Sequence, residues 1–290
     1  MSEQTIRLSD GRALELYVSG AVGAMPLIVH HGTPGARRPL RLLERAAHER
    51  GLRFVSASRP GYGGSTRLPG RSVLDVVADT TAVLAAIGAS ECLVAGHSGG
   101  GPHALACAAG LKAVRGTLVI AGAAPDGLAE LDFTAGMAQD NVLEFELARA
   151  GEASLRPHLE AQRTELLAAG VDELTAALSG LLPSPDLEAM RGELGEDVVS
   201  GFHEALRVGV DGWVDDDLAF TSPWGFSVGH IQTPVTVWQG QQDLMVPVAH
   251  GRWLAQVVPG ADGHVLPGEG HLSLVANRAG RMLDALIGLG

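Results

Sequence analysis

The stretch Val94–Gly101, Val-Ala-Gly-His-Ser-Gly-Gly-Gly, constrains this chain more than any other. An apolar run, Cys92–Ala95, precedes it and an alanine-rich run, His103–Ala109, follows, which predicts a buried strand, a tight turn and a helix. Gly96, Ser98 and Gly100 fit the pattern Gly-x-Ser-x-Gly, in which a serine stands on a strained turn and the residues two away must lack colliding side chains. Gly99 and Gly100 also permit close approach to the backbone, and the following helix would aim its positive end at an anion developing there. Five residues can equally be a glycine-rich turn with an incidental serine, so the rest of the chain must decide.

The 290 residues suffice for one large domain or two smaller ones, and a hydrophobic content of 46% suffices for a sizeable core. A net charge of −12 argues against nucleic acid or an anionic membrane surface as partner. The charge is uneven: residues 126–229 hold 21 Asp and Glu against five Arg and no Lys, which predicts two units with different roles. The start, Met1-Ser-Glu-Gln-Thr, has no basic and apolar leader pattern, and no apolar run reaches membrane-spanning length, so a cytoplasmic address is expected. Cys92 and Cys107 read as buried free thiols without companion ligands for a metal.

In chain order, Ile6–Leu8 and Ala13–Val18 alternate around Asp10-Gly11 as a hairpin, and Leu27–His30 is the first fully apolar strand. A helix over 37–50, a strand over 53–58, a helix over 73–87 ending at Gly88, the strand before Ser98 and the strand 117–121 follow. That rhythm predicts a parallel sheet covered on both faces. It breaks at Asp126. From there to Gly229 the apolar residues fall on helical faces: Leu155, Leu159, Leu166 and Leu167; Val171, Leu174, Leu178 and Leu181; Val198, Phe202, Leu206 and Val210. Strands at 233–239 and 264–266 and helices at 249–257 and 272–287 then complete the chain.

Open α/β sheets present chemistry at the carboxyl ends of their strands. Just past 235–239 stands Asp243, and just past 265–266 stands His271. Ser98, Asp243 and His271 supply a nucleophile, an acid to orient a base, and that base, in the order Ser–Asp–His. Asp126, after the strand that follows the serine turn, is the alternative acid. His97 and His103 read as packed histidines. His30 and His31 alternate faces of a strand and cannot easily share an ion, so no metal is expected.

With these residues in place, the chain resembles the α/β-hydrolase superfamily over essentially its whole length. The His31-Gly32 pair, Arg59-Pro-Gly-Tyr-Gly-x-Ser65, the turn at Ser98, Gly240-x-x-Asp243 and Gly270-His271 all fall in that family's order. His31-Gly-Thr-Pro-Gly35 resembles the corresponding loop of proline iminopeptidases, from which the chain departs at Thr33 and His97, where glycine is usual there. The resemblance implies a mainly parallel eight-stranded sheet with helices on both faces. The core would comprise 1–125 and 230–290, and 126–229 would form an all-helical cap. It also implies attack by Ser98 on an acyl carbon, His271 as base and Asp243 as its orienter, with no cofactor. The Thr33 and Gly99 N–H groups would hold the oxyanion. His31, His97, Trp213 and Trp224 are candidate substrate contacts. The implied activity is hydrolysis of an ester or amide of a small molecule; the alternatives are an aminopeptidase like the iminopeptidases and a receptor that binds without turnover. Asp211 and Asp215–Asp217 are expected either on solvated helix faces or at the entrance, where the resemblance would have acids of the cap hold a substrate amine.

Overall fold

The computed structural model describes residues 1–289. Strands β1 (Ser2–Arg7) and β2 (Ala13–Ser19) form the antiparallel hairpin, with Ile6 opposite Leu14 and Gly11 left-handed at φ 88°. Six further strands follow: β3 (Pro26–His30), β4 (Arg53–Ala57), β5 (Cys92–His97), β6 (Val114–Ile120), β7 (Val235–Gly240) and β8 (Asp262–Leu266). They make one eight-stranded sheet ordered β1-β2-β4-β3-β5-β6-β7-β8, antiparallel at β1–β2 and β2–β4 and parallel elsewhere.

The parallel strands are apolar on both faces because both are covered. Leu27, Val29, Leu93 and Ala95 turn toward helices α1 (Arg41–Glu49) and α11 (Ser273–Ile287). Ile28, Cys92 and Val94 turn toward α2 (Val76–Ile87), α3 (Gly100–Gly110) and α10 (Val248–Val257). The first helix begins at Arg41 rather than 37: Pro39 disfavours helical backbone at Arg38, and Leu40 remains extended. The helix expected from residue 73 opens with a 3-10 turn, Val73–Asp75, closed by a Ser72–Asp75 capping box.

Between β6 and β7 lie six helices: α4 (Gln139–Ala150), α5 (Glu152–Ala168), α6 (Val171–Ala177), α7 (Ser184–Met190), α8 (Glu193–Leu206) and α9 (Asp211–Phe220). Only α5, α6 and α8 correspond to the apolar faces read from the sequence. Val210 does not continue the α8 face, because the chain turns at Gly209 (φ 145°) and Val210 caps α9 instead. Helix α9 escapes a periodicity reading because its acids Asp215, Asp216 and Asp217 are all buried. None of the described helices is long and apolar enough to cross a membrane.

The buried acids join this helical segment to the sheet's loops. Asp216 is completely buried; its Oδ2 accepts from Arg59 (2.6 Å), Thr33 Oγ1 (2.8 Å) and Tyr62 (2.9 Å), and its Oδ1 from Arg71 (2.6 Å). Burial opposes its charge, but Arg59 and Arg71 outweigh that and hold its carboxyl well below the usual range. Asp215 pairs with Arg67 at 2.8 Å, and Asp211 with Arg156 at 2.8 Å. Neither the solvated-face nor the entrance account of these acids describes Asp215 or Asp216: the buried Arg59 and Arg71 take up Asp216, and the partly exposed Arg67 takes up Asp215. Asp216→Ala should destabilise the fold by about 3–5 kcal/mol, because it leaves two guanidinium groups buried without their anion; urea denaturation measures this.

Candidate active site

Ser98 stands between β5 and α3 with a left-handed backbone, φ 55°, and is half-buried. Its own N–H donates to Ile120 O (2.8 Å), and its carbonyl accepts from Gly101 N (2.8 Å). The glycines around it serve the protein's own backbone. A Cβ at Gly96 would stand 2.1 Å from Gly100 O, and one at Gly100 2.1 Å from His30 O. A Cβ at Gly99 would meet Thr33 Oγ1 at 2.3 Å, so Thr33 and Gly99 lie in direct contact. Among the described residues, no other group of the chain takes up either of their N–H groups.

Past the end of β8, His271 Nδ1 donates to Asp243 Oδ2 at 2.8 Å, with both side chains buried. Asp243 is held from three further directions: Gln239 Nε2 (2.9 Å) on Oδ2, and Met245 N (2.9 Å) and Val246 N (2.8 Å) on Oδ1. Burial opposes a charge on His271, but the charge and hydrogen bond of Asp243, with a smaller contribution from Asp186, raise its pKa above the ordinary imidazole value of 6.5. Ser98 and His271 share the wall of one cavity, although no hydrogen bond joins them. Asp126, the alternative acid, is instead gripped by Arg149 at 2.7 and 2.9 Å.

The histidines nearest Ser98 hydrogen-bond to the protein's own backbone. His31 Nδ1 donates to Gly32 O (2.7 Å), while its Nε2 accepts from Arg59 N (3.1 Å), so both ring nitrogens buttress the loop carrying Thr33. Burial, with Arg59 nearby, keeps its pKa well below the imidazole value. His97 packs its ring 4.9 Å from that of His271 and meets His271 O at 3.3 Å; burial, reinforced by His271, lowers its pKa to about 3. His103 Nδ1 donates to Gly99 O (2.8 Å), tying down the serine turn from inside α3. Burial also raises the Cys92 and Cys107 thiols to about 12, which makes them poor nucleophiles. Among the described residues no group of three His, Cys, Asp or Glu side chains could hold a metal ion.

Two cavities converge on Ser98. The first, about 150 Å³, is mostly apolar and runs between the Thr33 loop, α1 and α8, past Leu40, Leu43, Phe54 and Phe202. The second, about 140 Å³, runs beside α4, α5 and α9 and is lined by Glu144, Asp217, Asn141 and Gln162 among others. Both are lined by Thr33, Ser98, Leu178, Phe202 and Met245. His31 and His97 line the first and Trp213 the second, its Nε1 donating to Glu144 at 3.0 Å. Trp224 lines neither: it is buried in the core beside Phe226. Asp217 is completely buried; no fixed donor reaches either of its oxygens, and its carboxyl interacts with that of Glu144. Burial first, then the nearby Glu144 charge, raises its pKa well above the carboxylate range, and burial raises Glu144 as well. Asp217 was among the acids expected either on a solvated face or at the entrance, and it lines the second cavity; nothing in the sequence marks Glu144, because an acid buried there and one in solvent look alike.

No curated protein matches the chain. Among solved structures, it superposes on a hydrolase from Pseudomonas aeruginosa at 20% identity, covering 99% of this chain and 98% of the other (TM-score 0.70). An esterase from Rhodococcus matches at 20% identity over the full length of both chains (TM-score 0.70). An enol-lactonase from Burkholderia xenovorans matches at 18% identity over 99% of each (TM-score 0.70). The sequence pattern of the α/β hydrolase fold matches residues 25–277, and with it this chain belongs to the α/β-hydrolase fold family.

Proposed function

We propose that this protein is a serine hydrolase that cleaves an ester or amide bond of a small molecule through an acyl-enzyme on Ser98, with residues 126–229 as a cap over the site. The observation that carries the reading is the buried Asp243–His271 hydrogen bond beside a serine held at φ 55° on the same cavity wall. Ser98 Oγ attacks the carbonyl carbon as His271 removes its proton, and the oxyanion is met by the Thr33 and Gly99 N–H groups. Collapse breaks the bond to the leaving alcohol or amine, which takes the proton from His271. Water, deprotonated by His271, then attacks the acyl-enzyme and releases the carboxylic acid and Ser98. Asp243 holds the imidazole with Nε2 free as base.

A fluorophosphonate probe should label the wild type and fail on Ser98→Ala, whose kcat on a small p-nitrophenyl ester should fall roughly 10⁴-fold with the fold intact. Labelling that persists in Ser98→Ala would overturn the reading. The mechanism needs a neutral His271, so activity is lost as pH falls through its raised pKa. The acid limb of kcat/KM should therefore have its midpoint above 6.5.

The Glu144–Asp217 pair favours a second reading, an aminopeptidase-like preference for substrates with a free amine. Asp217 is a buried acid that no fixed donor reaches, beside Glu144 in a cavity also lined by Ser98. An amine-bearing ester should then exceed its neutral isostere in kcat/KM by about tenfold, and Asp217→Asn should erase the difference. Because the pair is buried rather than at the entrance, added salt should leave the preference nearly unchanged. Equal rates for the two esters would remove this reading and leave the first.

A further inference from the structure

Asp186 is completely buried, yet it belongs to α7, in the helical segment, and bonds only to backbone of the loop that carries His271. Its Oδ2 accepts the N–H of His271 itself (2.7 Å), and its Oδ1 those of Leu272 (3.0 Å) and Ser273 (2.8 Å). These donors begin α11, where helix geometry leaves N–H groups without partners and favours a negative charge. Ser273 Oγ completes the turn by accepting from Gly270 N at 2.8 Å. Gly270 is required by the same contact: a Cβ there would stand 2.5 Å from Asp186 Oδ2.

From this geometry we infer that Asp186 is a positioning residue for His271, a carboxylate supplied by the helical segment that fixes the histidine's backbone while Asp243 fixes its ring. The inference rests on the reading of His271 as the base. The two acids divide the work by direction. Asp243 orients the imidazole about its side-chain torsions, but it cannot fix where the Cα stands; Asp186 does that. A base displaced by a fraction of an ångström loses its line to the nucleophile, which makes backbone anchoring a matter of rate and not only of stability.

Asp186 also acts on the charge of His271. The charged and titratable groups around the imidazole are Asp243 after β7, Asp186 from α7 and His97 from β5. Glu269, two residues earlier, is occupied by Arg278 (2.8 Å) and Asn277 (3.0 Å). Further along the first cavity, Asp197 of α8 is occupied by Arg41, and Arg38 also lines the wall. Asp186 thus adds to the field that favours the imidazolium.

The test compares wild type, Asp186→Asn and Gly270→Ala. Asp186→Asn keeps the volume but turns an amide N–H₂ toward donors. It should lower kcat about tenfold with KM within about twofold. It should also move both the acid limb of kcat and the NMR titration of the His271 imidazole down by about half a pH unit. Gly270→Ala pushes the carboxylate off the loop without removing it, and should also lower kcat with KM preserved. If Asp186→Asn fails to fold, Gly270→Ala decides, and wild-type kcat in that variant overturns the proposal. In a folded Asp186→Asn, an unshifted His271 titration or an unchanged kcat overturns it. If the wild type itself has no turnover, the hydrolase reading fails, while the NMR titration still decides whether Asp186 acts on His271.

Discussion

Ser98 holds a backbone conformation that costs a non-glycine residue about 1–3 kcal/mol, and the surrounding structure exists in a form that compels it. Strand β5 brings the chain in between β3 and β6, and α3 takes it away across the same two strands. At Gly96 and Gly100 backbone oxygens stand where side chains would otherwise project, so the reversal is sharper than an ordinary strand–helix turn. Donation from Ser98 N to Ile120 O and from His103 to Gly99 O pins the turn on both sides. What remains outside the packing is the serine side chain and two unengaged N–H groups, at Thr33 and Gly99. The strain therefore has a local outcome: a hydroxyl and two donors held at a cavity wall by elements that cannot relax away.

Much of the fold was legible because buried parallel strands are short apolar runs and the helices between them end in recognisable ways, as α2 does at Gly88 in left-handed backbone. Ser98, Asp243 and His271, the proposed nucleophile, acid and base, stood out for a related reason: each lies just past a strand, where an open sheet presents its chemistry. The boundaries that moved did so for local causes, proline at 39 and the turn at Gly209. The acids were legible in number but not in role. Asp215–Asp217 read as acids of a solvated face or of the entrance because burying three consecutive carboxylates in one helix is unexpected. Arg59 and Arg71 take up Asp216 and Arg67 takes up Asp215, all from a distant loop, while Asp217 is buried against another acid. Asp186 left no trace at all, since it falls between the apolar helical faces at 171–181 and 198–210. Trp224, expected at the site, lies in the core because the chain leaves α9 there and packs it beside Phe226.

The electrostatics of the interior sort by partner. Asp216 is surrounded by cations and ionises readily; Asp217, next in sequence, faces Glu144 and resists ionisation. One helix turn thus carries two buried acids with opposite tendencies. The first holds the Thr33 loop, while the second faces another acid within a cavity. The difference comes from what lies opposite each residue, since both are equally buried.

Buried ion pairs of the Asp216 kind contribute little net stability compared with well-packed apolar side chains, but they are costly to break on one side only. That asymmetry bears on modular exchange. A chimaera taking its α4–α9 from a relative at about 20% identity would inherit Arg59, Arg71 and Thr33 from one parent and their counter-ion from the other. Unless the donor brings an acid at the place of Asp216, the transplant would leave two interior cations stranded and the Thr33 loop unmoored. In this chain the helical segment is not an interchangeable part; it and the loops beneath it are a single inheritance.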